Sequence, residues 1–180
     1  MTEDGGGRAV GPTALETLLR ASSDRDNPTA DELVELLSRP RRIAVIGLSR
    51  FPEKPARRVP AYLAARGHDV VPVNPSAERV LGRQAYATLA DVPGHVDIVL
   101  IFRPPDQAGA FVREALARPE RPAIWLSEGI RADADVLEAR GQGVTAIQDL
   151  CAYKAHVAMQ RPLASTPEEP PAADPHDPSG

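Results

Sequence analysis

Three cations, Lys54, Arg57 and Arg58, fall within five residues of one another. They follow the short stretch Gly47-Leu48-Ser49-Arg50-Phe51-Pro52-Glu53. A glycine lets backbone approach a ligand closely, a serine adds a hydroxyl donor, and clustered Lys and Arg hold anions. This combination is suited to gripping phosphate rather than to acid–base catalysis. Arg50 and, farther along, Arg103 add two more cations. Their value depends on what positions them.

The positioning elements follow from the apolar pattern. Ile43–Ile46, Val70–Val73, Ile98–Phe102, Ile124–Leu126 and Val144–Ile147 are uninterrupted apolar runs, with Gln84–Tyr86 a weaker candidate. Runs without polar alternation suit strands buried on both faces. Between them lie helical stretches near Ala56–Arg66, Ala108–Ala117 and Ala132–Arg140. Strands alternating with helices predict an α/β, doubly wound, mostly parallel sheet of five to six strands in three layers, a Rossmann-like fold. In such a sheet ligands bind beyond the carboxyl ends of the strands, near the switch in strand order. Gly47–Ala56, Asn74–Ser76, Arg103–Pro105 and Ser127–Ile130 all fall there. The helix starting near Ala56 would also point its amides at the first loop, carrying about half a positive charge. Pro60 is expected to be harmless if it falls in that helix's first turn.

Two familiar nucleotide motifs fail. Of G-x-G-x-x-G only Gly47 is present; Ser49 and Pro52 occupy the other places, and Asn74-Pro75 stands where an acid would take the ribose of NAD. G-x-x-x-x-G-K-[ST] is missing too.

At this point Val45-Ile46-Gly47-Leu48-Ser49, Lys54-Pro55-Ala56, Tyr62-Leu63, Gly67-His68 and Val71-Pro72-Val73-Asn74-Pro75 come in a familiar order. Val96-Asp97, Phe102-Arg103-Pro104-Pro105, Trp125, Gly129-Ile130 and Asp149-x-Cys151 continue it. The chain from Arg42 to Met159 resembles the small stand-alone CoA-binding proteins, whose domain is similar to the N-terminal domain of the succinyl-CoA synthetase α subunit. The resemblance implies coenzyme A, or an acyl-CoA, as ligand. Gly47, Ser49 and Lys54 would hold its phosphates, with Leu48 and Pro55 beside them. Val73, Asn74 and Pro75 would bound the adenine and ribose, with Phe102 and Arg103 on another side. Ser127, Gly129 and Ile130 would border the pantetheine arm. The synthetase relatives ligate through a phosphorylated His on a second domain, and no matching His follows Ile130 in a glycine-rich loop. Binding without catalysis is the expectation. The rivals are an NAD(P)-binding oxidoreductase or redox-sensing domain, and a ligand-regulated interaction module.

The chain has 180 residues, 42% hydrophobic, with 21 basic and 25 acidic side chains and a net charge of -4. One cysteine rules out an intramolecular disulfide framework, and the acidic balance argues against bulk nucleic-acid binding. No apolar run approaches a membrane span, and no basic segment leads into an export-type stretch, so a cytoplasmic protein is expected. The sequence names no protein partner.

Residues 1–28 are read as a flexible segment with a possible short helix at Thr13–Ala21, 29–160 as the domain with its own N-terminal helix, and 161–180 as a disordered tail. The tail holds six prolines from Pro162 on. Cys151 and Trp125 are expected in the core, His68 and His95 at the surface, and Asp149 as a loop-orienting acceptor.

Overall fold

The computed structural model describes residues 13–161. Two short helices lead, α1 (Ala14–Ala21) and α2 (Ala30–Leu37). Each begins with a capping box, Thr13 with Glu16 and Thr29 with Glu32, in which the side chains satisfy first-turn amides reciprocally. There follow β1 (Arg42–Ile46), α3 (Pro55–Ala65), β2 (Asp69–Val73), β3 (Arg79–Val80), β4 (Arg83–Gln84), β5 (Ile98–Ile101), α4 (Pro105–Leu116), β6 (Ala123–Leu126), α5 (Asp133–Gly141), β7 (Ala146–Ile147) and α6 (Ala152–Gln160).

Five strands form one parallel sheet in the order β2-β1-β5-β6-β7. The connection leaving β1 runs to one side and that entering β5 to the other, so the switch in order falls between these neighbours. The weaker candidate near Gln84 resolves into two parts. Arg83–Gln84 closes a separate hairpin with Arg79–Val80, and Tyr86 makes a single parallel bridge to Val73.

Because successive strand residues face opposite ways, each apolar run serves two cores. Ile43, Val45, Leu100 and Trp125 face α1, α2, α3 and α6; Ala44, Ile46, Ile101 and Leu126 face α4 and α5. This alternation explains why the parallel strands carry no polar residue beyond the opening Arg42 of β1 and Asp69 of β2. Trp125 is 1% exposed and donates its indole N–H to the Leu150 carbonyl at 2.8 Å, which makes it a core residue with a satisfied polar handle.

Residues 13–28 correct the expectation of a flexible lead. Leu15 is buried in the core, and the turn after α1 is pinned to the far edge of the sheet. There the Asn27 side chain pairs with both backbone groups of Gln148, at 2.9 and 3.0 Å, and the buried Asp24 carboxylate accepts from Arg140 at 2.9 Å. Residues 1–12 and 162–180, including His176, lie outside the described residues. Among the described residues no helix is long and apolar enough to cross a membrane.

Candidate functional site

The loop after β1 is shaped by three local constraints. Gly47 has φ +80°, and a Cβ there would lie 2.6 Å from the Phe102 carbonyl oxygen, so only glycine lets the β1 and β5 ends approach this closely. Asn74 is the second. Its amide donates to the Leu48 carbonyl at 3.1 Å while its Oδ1 accepts from the Ser76 N–H at 2.8 Å. The asparagine of the β2 corner thus ties the loop after β1 to the loop after β2.

The third constraint is Pro60, and here the sequence reading needs correction. With α3 beginning at Pro55, Pro60 is inside the helix rather than in its first turn. Lacking an N–H, it leaves the carbonyl of Ala56 without its helical partner. That carbonyl accepts instead from the Ser49 N–H at 3.1 Å. A helix defect therefore docks the loop. Ser49 Oγ in turn accepts from the Phe51 N–H at 3.1 Å, which leaves its own proton to donate.

Between the ends of β1, β2 and β5 lies a cleft of about 700 Å³. Of the predicted residues, Gly47, Leu48, Ser49, Lys54, Val73, Asn74, Pro75, Phe102 and Arg103 all line it. Arg50, next to Phe51 in sequence, and Lys54, three residues after it, each hold a cation 5.2 Å from its ring centroid. Lys54 is the N-cap of α3 and provides no side-chain cap, so the first-turn amide of Ala56, which also lines the cleft, keeps its positive end unneutralised. Arg103 donates through Nη2 to Gln107 at 2.5 Å, but its Nε is buried without a partner. Cations gathered with an uncapped helix start on one cleft are the arrangement a phosphate satisfies. The donor set fits a polyanion.

A second hollow, about 560 Å³, opens at the β7 edge among Asp26, Glu32, Glu35, Arg41 and Arg140. Its arginines are already engaged, Arg41 with the Leu36 and Glu35 carbonyls and Arg140 with Asp24 and the Ala146 carbonyl. Its three acids make it a poor anion site.

Other predicted residues sit elsewhere. Pro55 opens α3 beside the cleft without lining it. Ser127, Gly129 and Ile130 follow β6, one strand over, and do not line the cleft. Asp149 holds that turn in place: its Oδ1 accepts from the Gly129 N–H at 2.7 Å, and its Oδ2 from the N–H and hydroxyl of Ser23. Burial alone would raise its pKa, but these bonds and the nearby Arg131 charge hold it below the usual carboxylate value. It orients a loop, as expected. Cys151 is a buried free thiol at the start of α6.

His68 is a correction. It is 6% exposed, its Nδ1 accepts from the Arg41 N–H at 3.2 Å, and its ring meets His156 edge-on at 5.7 Å. Its neighbour Gly67 ends α3 sharply and folds the ring inward, a turn that sequence alone reads as surface. The cleft also gains residues the sequence reading passed over, notably Phe51, Ala77, Thr88, Phe111 and Glu114. The available signal for two of them was spacing, since Gln107, Phe111 and Glu114 recur four and three apart along one helix face.

Fold and site together define a nucleotide-type binding domain with its donors gathered at the topological switch point. Residues 41–157 match the CoA binding domain family, and the chain belongs to that family. It is 34% identical over 134 residues to the uncharacterized protein YneT of Bacillus subtilis, an alignment spanning 74% of this chain and 98% of that one. A hypothetical protein from Pyrococcus horikoshii superposes with a TM-score of 0.69 at 30% identity, covering 74% of this chain and 94% of the other. The acetate–CoA ligase (ADP-forming) II of Archaeoglobus fulgidus is 29% identical over 98 residues. That match spans 53% of this chain but 15% of the ligase.

Proposed function

We propose that this chain binds coenzyme A, free or acylated, by its phosphates in the cleft between β1 and β5, and performs no chemistry on it. The observation that carries this is the gathering of Arg50, Lys54 and Arg103 with the uncapped start of α3 on one cleft at the strand ends. The ionisable side chains lining the cleft are Arg50, Lys54, Arg103 and Glu114, a set that binds and orients but contains no nucleophile paired with a base. Ser49, Lys54 and Arg103 would take phosphate oxygens, while Asn74 holds the loop that presents them. The turn at Ser127, Gly129 and Ile130 would carry the pantetheine arm out of the cleft, braced by Asp149 from below. An NAD reading is disfavoured because Asn74, where a ribose-binding acid would stand, already spends both side-chain groups on the loops.

The test is calorimetry and thermal shift with CoA, dephospho-CoA, acetyl-CoA, NAD and ATP. At a hundredfold excess over Kd, a true ligand stabilises by about 2.7 kcal/mol. CoA should give the largest shift. Arg103→Gln and Lys54→Ala should each weaken it roughly tenfold, the loss of one charge-assisted hydrogen bond, whereas Lys154→Ala should leave it unchanged. A larger shift with NAD, or equal weakening by all three variants, overturns the reading.

A further inference from the structure

The cleft has two chemically different ends, and α4 connects them. At its start, Gln107 accepts from Arg103, the cation of the phosphate-binding end. Phe111 follows four residues on and Glu114 three more, so all three form one stripe, and the latter two line the cleft wall. Seven residues of helix advance about 10 Å from Gln107 to Glu114. That is the order of the separation between a 5′-phosphate and the exocyclic amine of an adenosine. Ala77, Ala87 and Thr88 line the same cleft and carry no charge. The Thr88 hydroxyl is already donated to Asp91.

Glu114 is the odd member of a cleft otherwise built for anions. Its exposed side chain makes no ion pair or hydrogen bond with another described residue, and of the cleft's residues it stands farthest along α4 from Arg103. A carboxylate here repels phosphate and accepts hydrogen bonds only, so the group it suits is an amine donor. Phe111, half-buried one turn earlier, presents an aromatic face of the kind on which a base stacks.

We propose that Phe111 and Glu114 select the base of the bound coenzyme, Phe111 by stacking and Glu114 by accepting a hydrogen bond from the exocyclic amine of adenine. This rests on the CoA reading above and extends the base's surroundings from the Val73–Pro75 corner to the α4 wall of the same cleft, with the phosphates at Ser49, Lys54 and Arg103. A base carrying a carbonyl oxygen at the same position would set acceptor against acceptor and lose the bond.

The experiment is calorimetry on the full chain with CoA and with its hypoxanthine analogue, in which the adenine amine is replaced by an oxygen. The wild type should bind CoA about tenfold more tightly than the analogue, the worth of one hydrogen bond to a charged group. Glu114→Gln should erase that ratio while keeping CoA binding within a few fold, because a side-chain amide can rotate to meet either base. Phe111→Leu should weaken both ligands equally, roughly tenfold, as lost stacking does. Equal binding of the two coenzymes by the wild type, or an unchanged ratio in Glu114→Gln, overturns the base-selection proposal and leaves phosphate binding standing. Failure of either coenzyme to bind overturns the CoA reading itself, and this one with it.

Discussion

Pro60 shows how much a single missing hydrogen can organise. A proline inside a helix ordinarily costs about 3 kcal/mol, and the carbonyl it abandons is left for another donor. Here the Ser49 amide takes the Ala56 carbonyl, and through Ser49 the turn at Phe51 and its two flanking cations are set. In Pro60→Ala an N–H would return to compete for the same carbonyl. That variant should be more stable by about 1 kcal/mol in urea melts, yet bind CoA several-fold more weakly, because the loop loses its anchor. Greater stability with undiminished affinity would show that the loop holds its shape without Pro60. Gly47 and the proline itself were visible as letters. The bond they make room for was not, since it joins a loop to a helix carbonyl whose vacancy depends on where that helix begins.

At the scale of elements, α3 and α6 meet over a small aromatic cluster that has no part in the cleft. Tyr62 of α3 hydrogen-bonds His156 Nδ1 at 3.0 Å, Tyr153 packs edge-on against Tyr62 at 4.7 Å, and His156 touches His68 before β2. Burial lowers the pKa of His68, helped by the charges of His156 and Arg41; burial likewise lowers that of His156, with Arg66 adding to it. The consequence has a definite sign. Above the ordinary histidine value of 6.5 both rings are neutral folded or unfolded, and they do not change stability with pH. Below it the unfolded chain takes up protons that the fold resists, so stability falls as pH drops toward the lowered folded values. Urea midpoints should hold level above about pH 7 and decline from about pH 6.5 to 5.5, a window above most carboxylate titration, and His156→Gln should flatten the decline. An equal slope in that variant would remove the pair as its cause. Element types and most boundaries follow from apolar runs of four or five and from capping residues. The inward turn of His68 does not, because a histidine after Gly67 reads as an exposed turn until α6, far along the chain, covers it.

For the molecule as a whole, the stretch before the family match is structurally continuous with it. Helices α1 and α2 precede residue 41, yet Leu15, Leu33 and Leu37 belong to the same core as Trp125 and Ile147. The turn at Ser22–Asn27 also supplies partners to Asp149, Gln148 and Arg140. A chain begun at Thr29 would expose the surface under Leu15, worth about 1.5–3 kcal/mol, and leave several polar groups without partners. Its melting temperature should fall by roughly 10 °C, read by calorimetry beside the full chain. An unchanged melting temperature would mean the N-terminal segment adds nothing to the fold.

Composition, apolar periodicity and the strand-end residues together determined the α/β class and pointed to the strand-end cleft in which we propose that a polyanion binds. Both depend on properties local to the chain, the alternation of buried faces and the chemistry of short loops. Tertiary structure alone decided the rest. The meeting of Phe111 and Glu114 with the β1 loop in one cleft, the inward His68 and the bracing of the Gly129 turn by Asp149 each join residues distant in sequence, and only the closing of the sheet and its two helical layers brings them together.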